Sequence, residues 1–214
     1  MNRLKMKKAG FTLMEMLVVI GIIATLMGVA VAGFGGMTKR AQRTKTQELV
    51  SNAATALTMI FQEKKSWPKP IVEGMSQKRL TRDVCAAFVR HGKGLLGISY
   101  KNETGEDGVT RRVVDSQSVD RFGLIDPYAA AVVRRDANAS LSTRVSSGGT
   151  INDHILHYSV DLDGDGITEV VSGGRSMKVR ATACVWSFGA DGAESPSRSR
   201  GDDVYSWRPD QEVH

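Results

Sequence analysis

One short run of this sequence has alternating carboxylates, a spacing that could bind a metal ion. Asp161, Asp163 and Asp165 alternate in the run DLDGDG. Alternate carboxylates followed by glycine are the pattern with which an EF-hand-type loop surrounds a hard cation such as calcium. The position where such a loop carries its bidentate glutamate is Ser172, and the flanking sequences favour strands over helices. The run therefore predicts a calcium site or, alternatively, a plain Asp/Gly hairpin turn.

The histidines do not form a recognisable catalytic pattern. His154 and His157 lie three residues apart in a predicted strand, so that their side chains would face opposite sides. No nucleophile elbow, metalloprotease helix, P-loop or dinucleotide fingerprint occurs in the sequence. We therefore expect that the chain is not an enzyme.

A single carboxylate, Glu15, interrupts an otherwise apolar N-terminal segment. Residues 11–37 are apolar or small apart from this glutamate, and the uncharged run 16–38 has about the 20 residues that span a bilayer. An acidic residue within the hydrocarbon costs about 3 kcal/mol on insertion scales. Basic residues before the run and a long domain after it predict a cytoplasmic N-terminus and an external head.

The net charge of +6 comes largely from the N-terminus. Four bases precede Gly10, and without them 25 lysines and arginines face 23 acids, a net charge of only +2. The rest of the chain has no concentrated basic patch with interleaved aromatic residues, so we do not expect nucleic-acid binding. Cys85 and Cys184 lie far apart; they could form a disulfide in an oxidising compartment or be two buried thiols.

The stretch KKAGFTLMEMLVVIGIIATLMGVAV, residues 7–31, resembles the class III signal of type IV pilins and type II secretion pseudopilins. The resemblance implies that a prepilin peptidase cleaves after Gly10 and methylates Phe11 as the new N-terminal residue. It also implies partners: copies of the chain itself, other pseudopilins and an inner-membrane secretion platform. The head would be periplasmic, on a single-pass inner-membrane helix, and the subunit would enter a periplasmic filament.

Cleavage would give Glu15 a partner that the translated chain lacks. The cut creates an ammonium group on Phe11, which is one helical turn from Glu15. In a filament, Glu15 of one copy can pair with Phe11 of its neighbour, so that two charges that are costly in lipid satisfy each other. The alternative is a monomeric calcium-binding module held by an uncleaved signal anchor, in which Glu15 lies near the membrane interface.

The helical pattern continues well beyond the apolar run. It predicts a helix from Phe11 to Lys64, ended by Trp67-Pro68-Lys69-Pro70. We expect an α+β, pilin-like fold in which this long helix, half of it transmembrane, packs on a single small antiparallel sheet. The predicted divisions are a leader at 1–10, the membrane half of the helix at 11–38, its soluble half at 39–66 and a globular head at 67–214.

Four parts of the head carry strand signals. We predict a hairpin over residues 98–119 and strands at 154–161, 167–173 and 179–189, with a polar mobile surface loop at 136–150. Residues 120–128 resemble the Asp-x-aromatic-Gly-x-Pro-Tyr segment of the major (G-type) pseudopilins, with two additional residues. That resemblance implies a loop that introduces the sheet.

The C-terminal stretch SFGADGAESPSRSRGDDVYSW, residues 187–207, resembles the calcium-holding tail of the major pseudopilins. The resemblance implies that Asp191, Asp202 and Asp203 bind calcium, with backbone oxygens near Phe188 and Ser195 completing the shell. The tail also favours a type II secretion pseudopilus over a true pilus. Two arginines within the loop, Arg198 and Arg200, leave open the alternative that Arg–Asp pairs close the loop without a metal.

Overall fold

A computed structural model describes residues 12–91, 100–105, 108–114, 122–172, 174–195 and 201–213. The helices are α1 (Leu13–Lys64), α2 (Lys69–Gly74), α3 (Arg82–His91) and α4 (Pro127–Arg135). The strands are β1 (Tyr100–Thr104), β2 (Thr110–Val114), β3 (His157–Val160), β4 (Thr168–Ser172), β5 (Arg175–Val179), β6 (Ala183–Ser187), β7 (Val204–Tyr205) and β8 (Glu212–Val213). The order of the elements confirms the predicted α+β class.

Helix α1 begins and ends where the sequence predicts, except that Phe11 lies outside the described residues. The helix ends at Lys64 because Lys65 adopts φ +54° and Pro68 follows three residues later. The chain divides into two compact units, Met1–Ala41 and Gln42–His214. In the part of the chain that the structure describes, no helix combines the length and the hydropathy of a membrane span.

The second unit is built around the C-terminal half of α1. Val50, Ala53, Leu57 and Ile60 recur at helical spacing and are completely buried. They share one core with apolar residues from α2, α3 and the first sheet, among them Ile71, Leu80, Val84, Phe88, Leu156, Tyr158 and Val185. The soluble half of the helix therefore supplies one wall of the main core.

The predicted single sheet is wrong, because the strands form two three-stranded antiparallel sheets. One has the order β3-β6-β7 and the other β4-β5-β8, while β1 and β2 form the predicted hairpin separately. The predicted strand at 179–189 is divided: Val179 ends β5, and β6 begins only at Ala183. Residues 180–182 connect the two sheets, and within this connection the Arg180 amide donates to the Gln211 carbonyl at 2.8 Å.

Residues 122–135 also differ from the expectation, because the loop introduces helix α4 instead of the sheet. Asp126 caps this helix: its Oδ1 accepts from the amides of Tyr128 at 3.1 Å and Ala129 at 3.3 Å. Pro127 occupies the first helical position, where its missing N–H costs nothing. An Asp-Pro pair before AAAVV is thus a helix start.

The loop 136–150 is anchored at several points. Ala139 and Val145 are buried in a second core with α4, and the Ile151 amide donates to the Thr143 carbonyl at 3.0 Å. Gly148 has φ +145°, and a Cβ there would lie 2.6 Å from the Asp191 carbonyl oxygen. The loop therefore lies directly against the C-terminal acidic segment.

Each cysteine is a free thiol in a different core. Cys85 packs in the main core, and Cys184 packs in a third core with Trp186 and Trp207. Burial raises the pKa of both thiols to about 12. The disulfide alternative is therefore wrong, and both residues act as small buried apolar groups.

Candidate functional site

Glu15 caps the start of its own helix. Its Oε2 accepts from the backbone amide of Thr12 at 2.8 Å and from the Thr12 hydroxyl at 2.8 Å. The Thr12 hydroxyl in turn accepts from the Glu15 amide at 3.3 Å, which completes a capping box. The signal for this contact is the Thr-x-x-Glu spacing before an apolar run. The predicted processing residues Gly10 and Phe11 lie outside the described residues.

The first turns of α1, which include Glu15, present an unusual amount of apolar surface. Leu13 is 85% exposed and Leu17 is 67% exposed, and the other large apolar side chains of these turns are at least 43% exposed. They are Met14, Met16, Val18, Val19, Ile20, Ile22, Ile23, Leu26 and Met27. An apolar surface of this extent around a helix indicates contact with lipid or with other protein.

The Asp161 loop brings three carboxylates together. One oxygen each of Asp161, Asp163 and Asp165 lie within 4.8 Å of one another. The loop joins β3 to β4, which belong to different sheets, so the hairpin-turn alternative is wrong. The loop is also fixed to the end of α1, because Trp67 Nε1 donates to the Asp161 carbonyl.

Asp161 already has donors within its own loop. Its Oδ1 accepts from the Gly164 amide at 2.7 Å and its Oδ2 from the Gly166 amide at 2.8 Å, and the side chain is buried. Asp163 and Asp165 are exposed. Asp165 Oδ1 also accepts from the Ile167 amide at 2.7 Å. The donor set consists only of oxygens and suits a hard cation, with two carboxylates exposed and one buried.

The structure does not bring the three acids of the C-terminal tail together. Asp191 accepts from the Ala193 amide at 2.9 Å, and Asp202 accepts from the Ala190 amide. Among the described residues, the Asp161 set is the one group of three acids, histidines or cysteines with its ligand atoms within 4.8 Å. The two arginines of the alternative closure, Arg198 and Arg200, lie outside the described residues.

Asp203 closes the tail by hydrogen bonds. Its carboxylate accepts from the Ser195 amide at 3.0 Å, the Ser195 hydroxyl at 2.9 Å and the Tyr205 hydroxyl at 2.9 Å. Burial raises the pKa of Asp203 in spite of these donors. Its oxygens thus have protein partners already, and this arrangement does not fit a calcium ligand set.

A buried polar cluster that the sequence did not predict joins Asp126, His154 and Ser187. His154 Nδ1 lies 3.1 Å from Asp126 Oδ1 and 3.0 Å from Oδ2, and the Ser187 hydroxyl donates to Asp126 Oδ2 at 3.0 Å. All three side chains are buried. Ser187 contacts the carboxylate and not the imidazole, so the histidine has no position from which to activate the hydroxyl.

The two ring nitrogens of His154 both face acceptors. Nε2 lies 2.9 Å from the Gly148 carbonyl, while Nδ1 faces the Asp126 carboxylate. A histidine between two acceptors donates from both nitrogens and carries a positive charge. Burial alone lowers the pKa of His154, but the hydrogen bond and charge of Asp126 and the Gly148 carbonyl outweigh it and raise the pKa. The cluster is therefore an internal ion pair.

His157 has the opposite electrostatic environment. It stacks against Phe188 with ring centroids 4.2 Å apart and against Trp186 at 5.6 Å. Burial, with the nearby positive charge of Arg79, lowers the pKa of His157 to about 3. It is thus neutral where His154 is charged, although the two residues are only three positions apart.

Comparisons with known proteins agree with the N-terminal features. The family model described as the prokaryotic N-terminal methylation motif matches residues 5–31, which include Thr12 and Glu15. The N-terminal segment of this chain thus carries a motif of the kind that this family model describes. The chain is 28% identical over 112 residues to the type IV major pilin protein PilE of Neisseria gonorrhoeae, covering 52% of this chain and 59% of that pilin. No solved structure matches the chain.

We expect the stability of the head to fall as the pH rises above about 6.5, the ordinary pKa of histidine. Because folding raises the pKa of His154, its stabilising contribution is complete below that pH and is lost as the pH rises through the folded-state pKa. One proton limits the effect to about 1.4 kcal/mol per pH unit. Thermal melting of the detergent-solubilised chain between pH 6 and 8.5, followed by tryptophan fluorescence, measures it.

Two variants identify the group that is responsible for this pH dependence of stability. His154→Gln should flatten the melting temperature over this range. His157→Gln should leave the slope unchanged, because a lowered pKa produces pH dependence only below about 6.5, where stability falls as the pH falls. A wild-type slope that persists in His154→Gln would contradict the charged-pair interpretation.

Proposed function

We propose that this chain is a structural subunit of a membrane-anchored, type IV pilin-like filament, processed by a prepilin peptidase after Gly10 and methylated at Phe11. The observation that carries the proposal is an N-methylation motif at the start of a 52-residue helix with exposed apolar first turns. Lipid would cover these turns before assembly, and neighbouring copies would cover them in the filament.

Glu15 would change partners during assembly. In the isolated chain both Thr12 donors bind its Oε2, so Oε1 can accept from a further group. The ammonium of Phe11 in a neighbouring copy is a charged donor, and charge-assisted bonds are about twice as strong as neutral ones. The capping box keeps the carboxylate satisfied until that donor arrives, and the pair then fixes the axial position of one subunit against the next.

The finer assignment in our proposal is a type II secretion pseudopilus, with the head in the periplasm. Its support is the tail sequence from Ser187 to Trp207, which resembles that of the major pseudopilins. The detected relative is a pilus subunit, and the match spans 59% of its length, so the choice between pseudopilus and pilus rests on the tail.

Calcium binding is the second part of the proposal, at Asp161, Asp163 and Asp165. Their oxygens lie within 4.8 Å of one another, and a cation there would offset the mutual repulsion of three carboxylates. The loop connects the two sheets and accepts a hydrogen bond from Trp67, so a bound ion would stabilise this connection. The same site would serve the alternative function, a calcium-binding module held by an uncleaved anchor.

The processing step is tested by Gly10→Val. In cells with a prepilin peptidase, the wild-type chain should lose residues 1–10 and gain a methyl group on Phe11, whereas the valine variant should keep its full mass because the bulky side chain blocks cleavage. Intact-mass spectrometry of the purified chains measures both. Retention of residues 1–10 by the wild-type chain as well would leave the uncleaved anchor as the correct alternative.

The assembly role of Glu15 is tested by Glu15→Gln. Glutamine also closes a capping box, so the helix start is kept while the charge is lost. Breaking a buried ion pair costs about 3–5 kcal/mol, so we expect incorporation into sheared filaments to fall by more than about a hundredfold. Thr12→Val is the matched control: it removes the hydroxyl of the cap but keeps the charge, and should assemble far better than Glu15→Gln. Equal assembly of Glu15→Gln and wild type would exclude the intersubunit pair.

Calcium binding is tested by melting the full chain with calcium and with a chelator. At a calcium concentration of 100 times Kd the ion should add about 2.7 kcal/mol of stability. The increase should disappear in Asp163→Asn/Asp165→Asn and persist in Asp191→Asn/Asp202→Asn. Loss of the increase only in the second variant would place the ion in the C-terminal tail, and no calcium effect in wild type would exclude both sites.

A further inference from the structure

An acidic groove lies between helices α2 and α3, on a part of the head to which the proposed function gives no role. Its volume is about 520 Å³, within the range of ordinary ligand sites. The groove is lined by Pro70, Glu73, Gly74, Gln77, Thr81, Asp83, Val84 and Ala86. Its lining thus combines two carboxylates with apolar groups and contains no base.

The groove is held open by the core behind it. Gly74 lies so close to α3 and β3 that an added Cβ would overlap Val84 and the Tyr158 hydroxyl. That hydroxyl donates to the Ile71 carbonyl at 2.6 Å, and Val84 is buried in the main core. The positions of α2 and α3 are therefore fixed from beneath, and the groove exists without a ligand.

The chemistry of the lining suits a long cationic side chain. Glu73 and Asp83 are exposed and belong to different helices, one on each side of the groove. Pro70, Val84 and Ala86 supply apolar surface between them. Lysine and arginine bury an aliphatic stem against such a surface while the charged end remains with carboxylates at the rim.

The chain itself carries a matching segment. Residues 39–45 of α1 contain no acid and include the exposed bases Lys39, Arg43 and Lys45. Like charges spaced this closely along a helix repel one another, so a negatively charged partner would relieve the repulsion. In a filament of identical copies, every basic segment has acidic grooves of other copies available to it.

We propose that the groove between α2 and α3 binds the basic segment 39–45 of a neighbouring copy, with Glu73 and Asp83 pairing with its lysine and arginine side chains. This inference rests on the proposed filament and adds a contact between heads and helices that is distinct from the Glu15–Phe11 pair. It makes the contact heterologous, because the groove and the basic segment are different surfaces. Such a contact propagates from copy to copy and does not close into a dimer.

The test is zero-length cross-linking of carboxylates to lysines in membranes from cells that assemble the chain. The cells make the chain first in light-nitrogen medium and then in heavy-nitrogen medium before filament assembly is induced, so that a cross-link joining a light to a heavy peptide must lie between copies. We expect mixed-isotope peptides that join Glu73 or Asp83 to Lys39 or Lys45. Arg43→Glu leaves the reacting carboxylates and lysines in place but brings a like charge to the groove, so it should reduce them at least tenfold, whereas Glu63→Gln, an exposed acid of α1 outside the groove, should not.

Charge reversal tests the groove contact independently of the cross-linking. Glu73→Lys/Asp83→Lys should reduce filament incorporation, and Arg43→Glu/Lys45→Glu in a co-expressed second copy should restore it. Assembly of wild type with no groove cross-links, or cross-links unaffected by Arg43→Glu, would overturn the groove proposal alone. Absence of any mixed-isotope cross-link and of any sheared filament in wild type would overturn the proposed function and the groove contact with it.

Discussion

The carboxylate of Asp126 holds together parts of the head that are distant in sequence. It caps α4, pairs with His154 before β3 and accepts from Ser187 at the end of β6. Through His154 Nε2 it also fixes Gly148. A buried carboxylate without these donors would cost several kcal/mol, so the four segments are positioned by the need to satisfy one charge.

Glu15 solves the same physical problem in a different way. Asp126 is buried, and its partner is the imidazole of His154 from its own chain, with Oδ2 3.0 Å from Nδ1. Glu15 has only the neutral donors of Thr12, next to an exposed apolar helix surface. An internal ion pair stabilises one folded chain, whereas a carboxylate that still needs a cation favours association. In the proposed filament, the two sites would thus separate folding of the head from assembly.

The success of the sequence-based predictions depended on how local the interactions are. The span of α1, the β1–β2 hairpin and the positions of β3, β4 and β6 follow from periodicity, prolines and glycines. The division into two sheets does not, because it depends on the turn at 180–182 and on the long-range pairing of Lys178 and Val179 with the C-terminal strand β8. Asp126 and His154 are 28 residues apart, so no local pattern could predict their pair.

The acidic loops show why spacing alone identifies a cation site poorly. An Asp/Gly-rich loop offers carboxylates and exposed amides together, and each carboxylate can accept from an amide or bind an ion. In the tail, Asp203 accepts from Ser195 and Tyr205, and the three predicted ligands are not brought together. In the Asp161 loop, glycine amides orient one carboxylate while Asp163 and Asp165 face water. Asp161 and Asp165 also accept from backbone amides, but the oxygens of all three carboxylates lie within 4.8 Å of one another, so this loop is the better calcium candidate.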